Sequence, residues 1–403
     1  MATVLVLGGG IGGAAAANAL HARLSRQHRI VVVDREAEQV FAPSLLWLMV
    51  GGRRPAAISR PLAKLLRPGI EVVRSRVHGL DPAARRVETD AGELSGEAIV
   101  IALGAELAPE AIPGYADAAD DIFTLEGAGR FANALAGFSG GRVVVAISAL
   151  PFKCPAAPYE AAFLIDADLR RRGLRDRSTI ELHTPEPAPM PVAGPVLGQA
   201  VVDLLGERGI GYFPEHPIVA YDAASRQVRF ADGSLAGYDL LAAVPPHRPP
   251  APVAASGLAG PTGWIPVDRE TLETSAPNVF AIGDVTAIAL ANGKLLPKAG
   301  VFAHAEAAVA ASQIAARIEG GPADRFDGHG YCWVELGAGV AGFASGDFYA
   351  APDPAVALRR PGRAWHAGKV LFERYSLSRG LERELAAAGL RLGSAMLRVP
   401  APL

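Results

Sequence analysis

Short apolar runs, separated by a glycine loop and an alanine-rich stretch, mark the amino-terminal part of the chain. Residues Thr3–Leu7 form an apolar run of strand length, and the glycine-rich segment Gly8–Gly13 follows directly. The alanine-rich stretch extends to about Ser25, and a second apolar run, Ile30–Val33, ends at Asp34. Strand length, turn glycines and helix-forming residues in this order predict a β-strand–helix–β-strand unit.

The loop has the spacing Gly-Xaa-Gly-Xaa-Xaa-Gly, with glycines at Gly8, Gly10 and Gly13. Glycines allow the backbone to turn tightly and to approach a pyrophosphate at the helix N-terminus. Asp34 lies 21 residues after Gly13, close to the ~20 expected for an acid that binds a ribose hydroxyl. The glycine spacing alone is weak, but strand, loop, helix and acid together predict a dinucleotide-binding site.

A second strand pattern with a polar end occurs far downstream. Residues 276–284 contain a turn and an apolar run that ends in Gly283 and Asp284. Ligands of open α/β sheets bind at the carboxyl ends of strands, where an aspartate can hydrogen-bond a polyol. A capping aspartate is the alternative, although the first glycine loop favours binding. Val100–Gly104 is another apolar run, and it ends where the chain is expected to leave the first domain.

These motifs together resemble the flavoproteins with two dinucleotide-binding domains, the pyridine nucleotide–disulfide oxidoreductase superfamily. The resemblance implies an α/β fold with two Rossmann-like domains and FAD as cofactor. The glycine loop and Asp34 would hold the adenosine half of FAD, and Gly283 with Asp284 the ribityl chain, with Gly104 at the same site. The FAD domain is expected in two parts, 1–105 and 258–325. The second Rossmann-like domain is expected over 106–257, and a C-terminal redox-cysteine and membrane-facing region over 326–403.

The second domain lacks the motif that binds a pyridine nucleotide. Arg142–Ile147 form the equivalent strand, but the following residues 148–159 contain no glycine and several prolines. Prolines remove N–H donors, and a turn without glycine keeps the backbone away from a pyrophosphate. The next strand, Thr179–His183, ends in histidine instead of an acid. We therefore expect no bound pyridine nucleotide in this domain.

The chain contains two cysteines, Cys154 and Cys332. Cys154 stands where the nucleotide motif is missing, between Lys153 and a helix predicted over about 159–172. The helix N-terminus and the cation are expected to lower the pKa of its thiol. Cys332 lies just after the last predicted helix of the FAD domain. Two unrelated buried thiols are the alternative, but the position of Cys154 favours a redox pair.

The surroundings of the cysteines resemble sulfide:quinone oxidoreductases and the flavoprotein subunit of flavocytochrome c sulfide dehydrogenase. The segments that carry this resemblance are 41–44, 51–53, 152–160, 244–249, 263–268 and 296–300. The resemblance implies that Cys154 and Cys332 face one another beside the flavin, where sulfide attacks their disulfide or trisulfide. It assigns Lys298 to the flavin pyrimidine carbonyl and Glu160 to an acid–base role. A surface lysine and a glutamate that favours the helix dipole are the alternatives.

The sequence departs from this family at two points. A third cysteine, which releases the sulfur product in many quinone-reducing members, is missing between Gly104 and Arg142. An acceptor thiol, such as glutathione or a carrier protein, would substitute for it. Ala42 stands near the covalent flavin attachment of the flavocytochrome type, so FAD is expected to be noncovalent.

Composition narrows the class of protein further. The chain has 403 residues, of which 50% are apolar and 20% charged, and this excludes intrinsic disorder. No apolar run reaches the ~18 residues of a spanning helix, and two cysteines cannot form a four-cysteine zinc site. A net charge of −2 gives no sign of nucleic-acid binding. The amino terminus has no basic region of a signal peptide, so we expect the cytoplasmic side.

The charge is unevenly distributed. From Arg359 onwards nine basic and three acidic residues give +6, which leaves −8 for residues 1–358. An apolar stripe runs through this segment at three- and four-residue spacing: Leu377, Leu381, Leu385, Ala388, Leu392 and Met396. A basic amphipathic helix is typical of an interfacial membrane anchor. A helix docked on the core or at a dimer interface is the alternative, and a homo-oligomer is possible.

Residues 365–375 resemble the segment near the quinone site of the same family. With Trp333 directly after Cys332, this resemblance makes Trp333, Phe372 and Tyr375 candidates for an apolar quinone slot, with core packing as the equal alternative. The sequence thus predicts a peripheral membrane flavoenzyme that oxidises sulfide, or a persulfide, and reduces a quinone. The alternatives are electron transfer to a cytochrome c partner and an FAD-bound sulfur-relay or redox-sensing protein without turnover. A type-2 NADH:quinone oxidoreductase is disfavoured by the missing second nucleotide motif.

Overall fold

The computed structural model describes residues 1–399, so the last four residues of the predicted C-terminal region, 400–403, lie outside it. Two parallel five-stranded sheets form the centre of the chain. The strands of the first sheet are, in spatial order, Val279–Ala281, Ala98–Ile101, Thr3–Leu7, Arg29–Asp34 and Glu71–Arg74. Those of the second are Asp120–Asp121, Leu240–Val244, Gly141–Ile147, Ser178–His183 and Gly211–Phe213. The predicted α/β fold is confirmed, whereas the domain limits stay predictions.

Three antiparallel sheets of three strands accompany them. Their strands are Val77–Asp81, Arg86–Thr89 and Gly92–Ser95; Ile218–Asp222, Gln227–Phe230 and Leu235–Gly237; and His329–Gly337, Val340–Asp347 and Ala355–Gly362. Helices of 13 or more described residues are α1 (Ile11–Arg23), α2 (Leu125–Gly137), α3 (Ala157–Arg171), α4 (Pro195–Glu207), α5 (Gly300–Glu319), α6 (Arg363–Leu377) and α7 (Gly380–Leu397). The central strands are apolar throughout because helices and loops cover both faces of each parallel sheet.

The segment 276–284 contains the predicted strand, Val279–Ala281, and Gly283–Val285 after it form a 3-10 turn. Two elements differ in extent from the sequence prediction. The strand expected at Val100–Gly104 is Ala98–Ile101, with Gly104 in the following loop. α3 begins two residues earlier than expected, because Pro158 fits the first turn of a helix, where no N–H bond is needed.

The C-terminal helices α6 and α7 pack against each other. One face of α7 is buried, through Ala386, Ala387 and Leu390. The predicted apolar stripe lies on the other face, and its large side chains Leu381, Leu385, Leu392 and Met396 are 64–75% exposed. Leu377 departs from this stripe because it ends α6 and is buried. Within residues 1–399 no helix combines the length and apolar content that crossing a bilayer requires.

Candidate active site

The glycine loop before α1 forms one end of the candidate site. A Cβ atom at Gly13 would lie 1.8 Å from the carbonyl oxygen of Gly8, and one at Gly8 would lie 2.3 Å from that of Ala102. Side chains are excluded at both positions because the backbone packs on itself. A Cβ atom at Gly10 would meet no atom within 4 Å, so this side of the loop is open. An open glycine at a helix N-terminus suits the approach of a pyrophosphate.

Asp34 ends the second strand of the first sheet beside this loop. Its Oδ2 accepts a hydrogen bond from the Gly9 N–H at 2.5 Å, and its Oδ1 accepts one from the Glu36 N–H at 2.7 Å. The carboxylate therefore fixes the backbone of the loop. Its predicted bond to a ribose stays a prediction.

One cavity joins the glycine loop to the C-terminal sheet. Its lining includes ten of the sequence-predicted site residues: Gly10, Gly104, Cys154, Glu160, Gly283, Asp284, Lys298, Cys332, Trp333 and Phe372. Gly8, Gly13, Asp34 and Tyr375 are not in this lining. An open glycine backbone at one end and buried polar groups at the other fit a flavin dinucleotide, with Asp284 available to its polyol.

The turn that holds Asp284 depends on a buried acid that the sequence pattern did not reveal. Gly283 has φ +73°, and its N–H donates to Oε2 of Glu306 in α5 at 2.6 Å. Burial raises the pKa of Glu306 to about 7 and also raises that of Asp284. A glutamate in the middle of an alanine-rich helix carries no local sign of this contact.

The Lys298 ammonium group lies at the cavity wall and is held by three contacts. It donates to the carbonyl oxygens of Asp284 at 2.6 Å and Thr286 at 3.1 Å, and it lies 3.5 Å from the centre of the Trp264 ring. Burial lowers the pKa of Lys298 to about 8. This lysine is thus a buried, fixed cation and not an ordinary surface residue.

Cys154 and Cys332 line the same cavity from different elements, and both are free thiols. Cys154 precedes α3 and has φ +55°, a left-handed conformation that is uncommon for a residue other than glycine. Cys332 lies in the strand His329–Gly337, where its Sγ is 3.3 Å from the carbonyl oxygen of Trp333. The two cysteines, 178 positions apart in the sequence, therefore share one site.

The expected lowering of the Cys154 pKa is wrong. Burial, together with the charge of the nearby Glu160, raises the pKa of Cys154 to about 12. Burial also raises the pKa of Cys332 well above its ordinary value. Lys153 is adjacent to Cys154 as expected, but its charge lowers the pKa of Asp284. The cation that lowers the pKa of both thiols is Lys369.

A buried network of charges lies beside the thiols. The Lys369 ammonium donates to Oε2 of Glu160, which also accepts the Glu335 N–H at 3.0 Å. Nδ1 of His366 lies 3.0 Å and 3.1 Å from the two carboxylate oxygens of Glu335. Sequence reasoning assigned a role to Glu160 but gave none to Lys369 or His366 within the segment 365–375, and it missed Glu335. The three-residue spacing of His366 and Lys369 was the available signal.

The three candidate quinone residues are not equivalent. Trp333 and Phe372 line the cavity, with ring centres 5.3 Å apart. Tyr375 stacks on the far side of the cavity wall, 6.4 Å from Phe372, and its hydroxyl accepts a bond from Arg383 of α7 at 2.8 Å. Tyr375 therefore joins α6 to α7.

A second cavity, of about 480 Å³, reaches Cys332 and Lys298 from the other side. Its wall is mainly apolar and includes Trp264, Phe348 and the buried Glu186. Burial raises the pKa of Glu186 to about 7. The two cavities together make Cys332 accessible from two directions.

The fold and the main cavity define a dinucleotide-binding α/β protein with two buried thiols at the site. Residues 2–312 match the model of the pyridine nucleotide-disulphide oxidoreductase family. The chain belongs to this family, and it is an FAD-binding flavoprotein.

Curated relatives and solved structures make the resemblance more specific. The sulfide-quinone reductase of Aquifex aeolicus is 28% identical over 395 residues, which cover 93% of this chain and 90% of that protein. The mitochondrial sulfide:quinone oxidoreductase of Mus musculus is 27% identical over 303 residues, 70% of this chain, and the match spans only 65% of the mouse protein. The X-ray structure of the Aquifex aeolicus sulfide:quinone oxidoreductase has a TM-score of 0.86 at 25% identity, covering 99% of this chain and 96% of that one. The predicted resemblance to sulfide:quinone oxidoreductases is confirmed.

Proposed function

We propose that this protein oxidises sulfide at the Cys154–Cys332 pair and transfers the electrons, by way of noncovalent FAD, to a membrane quinone. One observation carries the proposal: both cysteines, Glu160 and the glycine loop line the same cavity. The similarity to the Aquifex aeolicus sulfide-quinone reductase along nearly the whole chain supports it.

The sulfur chemistry needs an oxidised form of the two cysteines. Hydrosulfide attacks one sulfur of a Cys154–Cys332 disulfide, which gives a persulfide on that cysteine and a thiolate on the other. A second nucleophile, such as a small thiol, removes the outer sulfur, and two electrons leave the remaining dithiol as its disulfide forms again. FAD, when bound, supplies the two-electron acceptor for that step.

The surrounding charges support this chemistry in a buried site. The raised thiol pKa values mean that each thiolate needs a nearby cation, and Lys369 acts on both cysteines. Burial raises the pKa of Glu160, which favours uptake of a proton by its carboxyl group. The second cavity offers sulfur species a separate approach to Cys332.

The acceptor side of the proposal rests on the aromatic wall and on α7. Trp333 and Phe372 provide flat apolar surfaces for a quinone ring. The exposed leucines of α7 suit a membrane interface, and the charge of +6 from Arg359 onwards favours anionic lipid. We propose peripheral attachment on the cytoplasmic side.

Stopped-flow reduction of the holoenzyme under anaerobic conditions tests this function. We expect sulfide to bleach the flavin absorbance, NADH to leave it unchanged, and a short-chain quinone to restore it. Bleaching by NADH alone would favour an NADH:quinone oxidoreductase. If sulfide bleaches the flavin and only a cytochrome c restores its absorbance, a cytochrome partner is favoured. If sulfide forms a stable adduct and no acceptor is reduced, a sulfur-relay or sensing role is favoured.

A further inference from the structure

We infer that Glu335 and His366 carry protons from solvent to the Glu160–Lys369 pair and so supply protons for quinone reduction. This inference rests on the proposed function, because it concerns the acceptor half of that reaction. It assigns a relay role to two residues that do not line the cavity.

Three members of the network are buried and one reaches solvent. Glu160 and Lys369, which line the cavity, are 2% and 4% exposed, and Glu335 behind them is completely buried. The His366 side chain is 31% exposed, so it is the member of the network that reaches solvent. A carboxylate as deeply buried as Glu335 is costly unless it is paired, and His366 is its side-chain partner.

Two of the three neighbouring pairs in the network are in direct contact. Lys369 bonds to Glu160, and His366 Nδ1 lies 3.0 Å from Glu335. The remaining step joins Glu335 to Lys369, whose ammonium group has three N–H donors and feels the charge of the Glu335 carboxylate without forming an ion pair with it. His366 and Lys369 lie one helical turn apart on α6, and the relay requires the flexible lysine stem to turn from Glu160 towards Glu335.

The groups that face the network are few. Glu160 projects from α3, Cys332 and Glu335 from the strand His329–Gly337, and the Cys154 thiol from the loop before α3. The uncharged Trp47 ring covers the outer side, 5.7 Å from the His366 ring and 5.2 Å from Lys369 Nζ, and Arg53 stacks on the same indole ring. Burial alone would lower the pKa of Lys369, but Glu160 and Glu335 outweigh it and raise the pKa.

The proton balance is simple. A quinone that accepts two electrons takes up two protons to become the quinol, and the electrons come from the oxidation of sulfide. Lys369 gives a proton to a quinone oxygen and becomes a neutral amine. The Glu335 carboxylate accepts a proton from the His366 imidazolium and passes it to Lys369, and the neutral His366 takes up a new proton from water. Each cycle returns the side chains to their starting charges.

The variants His366→Ala, Glu335→Gln and the double variant test the relay. Holoenzyme reduced with stoichiometric dithionite is mixed with a short-chain quinone, and flavin reoxidation and proton uptake by a pH-indicator dye are followed together. We expect both rates to fall by about tenfold or more, which is less than the ~10²–10⁴-fold cost of losing the general acid itself. The double variant should be no slower than the slower single variant, because the residues act in series, and added imidazole should restore His366→Ala.

The matched control is His329→Ala, since His329 is an exposed histidine at the other end of the Glu335 strand. It should behave as the wild-type protein. A wild-type reoxidation rate in His366→Ala, no rescue by imidazole, or equal slowing of sulfide-driven reduction would overturn the relay. Reduction with dithionite makes the relay test independent of sulfide. If sulfide does not reduce the flavin of the wild-type holoenzyme, the proposed electron donor is refuted, and the relay is still decided by the dithionite experiment.

Discussion

The backbone N–H of Cys154 donates to the carbonyl oxygen of Lys298 at 2.6 Å. This bond joins the cysteine loop of the second sheet to the segment that enters α5 beside the first sheet. It also helps to hold Cys154 in its left-handed conformation, whose steric cost needs support from surrounding contacts. The backbone segments that carry the Cys154 thiol and the Lys298 ammonium group are therefore in direct contact.

Replacing either thiol should separate sulfide chemistry from flavin chemistry. We expect Cys154→Ser and Cys332→Ser each to slow sulfide-driven bleaching of the flavin by at least about 10²-fold, because a hydroxyl group cannot form the disulfide. Reduction by dithionite is the control and should be unchanged. Bleaching by sulfide at the wild-type rate in either variant would rule out the proposed cysteine pair.

Two glycines of the first loop should respond differently to the same substitution. Gly13→Ala places a Cβ atom 1.8 Å from the Gly8 carbonyl oxygen, so we expect a protein that folds poorly. Gly10→Ala meets no protein atom within 4 Å, so the apoprotein should keep its melting temperature while its FAD affinity falls by about tenfold or more. Calorimetry and flavin titration measure the two effects. Unchanged FAD affinity in Gly10→Ala would place the pyrophosphate elsewhere.

Glu186 should make stability depend on pH. Burial raises its pKa to about 7 in the folded protein, above the ordinary value of 4.5, although bonds from Tyr159 and Thr184 oppose the shift. The folded state holds this proton more tightly than the unfolded state, so the free energy of unfolding falls as pH rises from about 4.5 through about 7. The full loss is about 3 kcal/mol.

Urea unfolding of Glu186→Gln measures this contribution. We expect the variant to gain stability relative to the wild-type protein between pH 5 and 8, because the amide does not ionise. Glu207→Gln, at an exposed glutamate of α4, is the matched control and should run parallel to the wild-type protein. Parallel curves for the wild-type protein and Glu186→Gln would contradict the assignment.

The exposed face of α7 should bind membranes without stabilising the fold. The double variant Leu381→Ser/Leu385→Ser removes side chains that are 71% and 64% exposed, so the melting temperature should hardly change. Each buried leucine contributes ~1.5–3 kcal/mol to association, so binding to anionic vesicles should weaken by about 10²-fold or more. The control is Leu235→Ser, because Leu235 is 55% exposed but lies in the strand Leu235–Gly237, outside α7. Vesicle binding equal to wild type in the double variant would exclude α7 as the anchor.

Local sequence patterns predicted a dinucleotide-binding α/β unit, and the family resemblance that they carry implied the two-domain fold and FAD. Apolar runs of strand length, the glycine spacing that ends at Gly13 and the Gly283–Asp284 turn are local features, because strand pairing and backbone approach impose them on neighbouring residues. The resemblance of short segments then led to Cys154, Cys332 and Lys298. Strand ends were less accurate, since the last residues of a strand depend on hydrogen-bond partners from distant segments.

The amino-acid sequence by itself determined a two-sheet flavoprotein with two candidate redox thiols and a basic, amphipathic end. Only the tertiary structure decided how those thiols behave, because burial and Glu160 raise the pKa that a local view of Lys153 predicted to be low. It also decided that Lys369 is a buried partner of Glu160 and not a surface charge of the tail. The pKa of a group depends on its distance from other charges and on how deeply it is buried. Neither the distance nor the burial can be read from the spacing of residues along the chain.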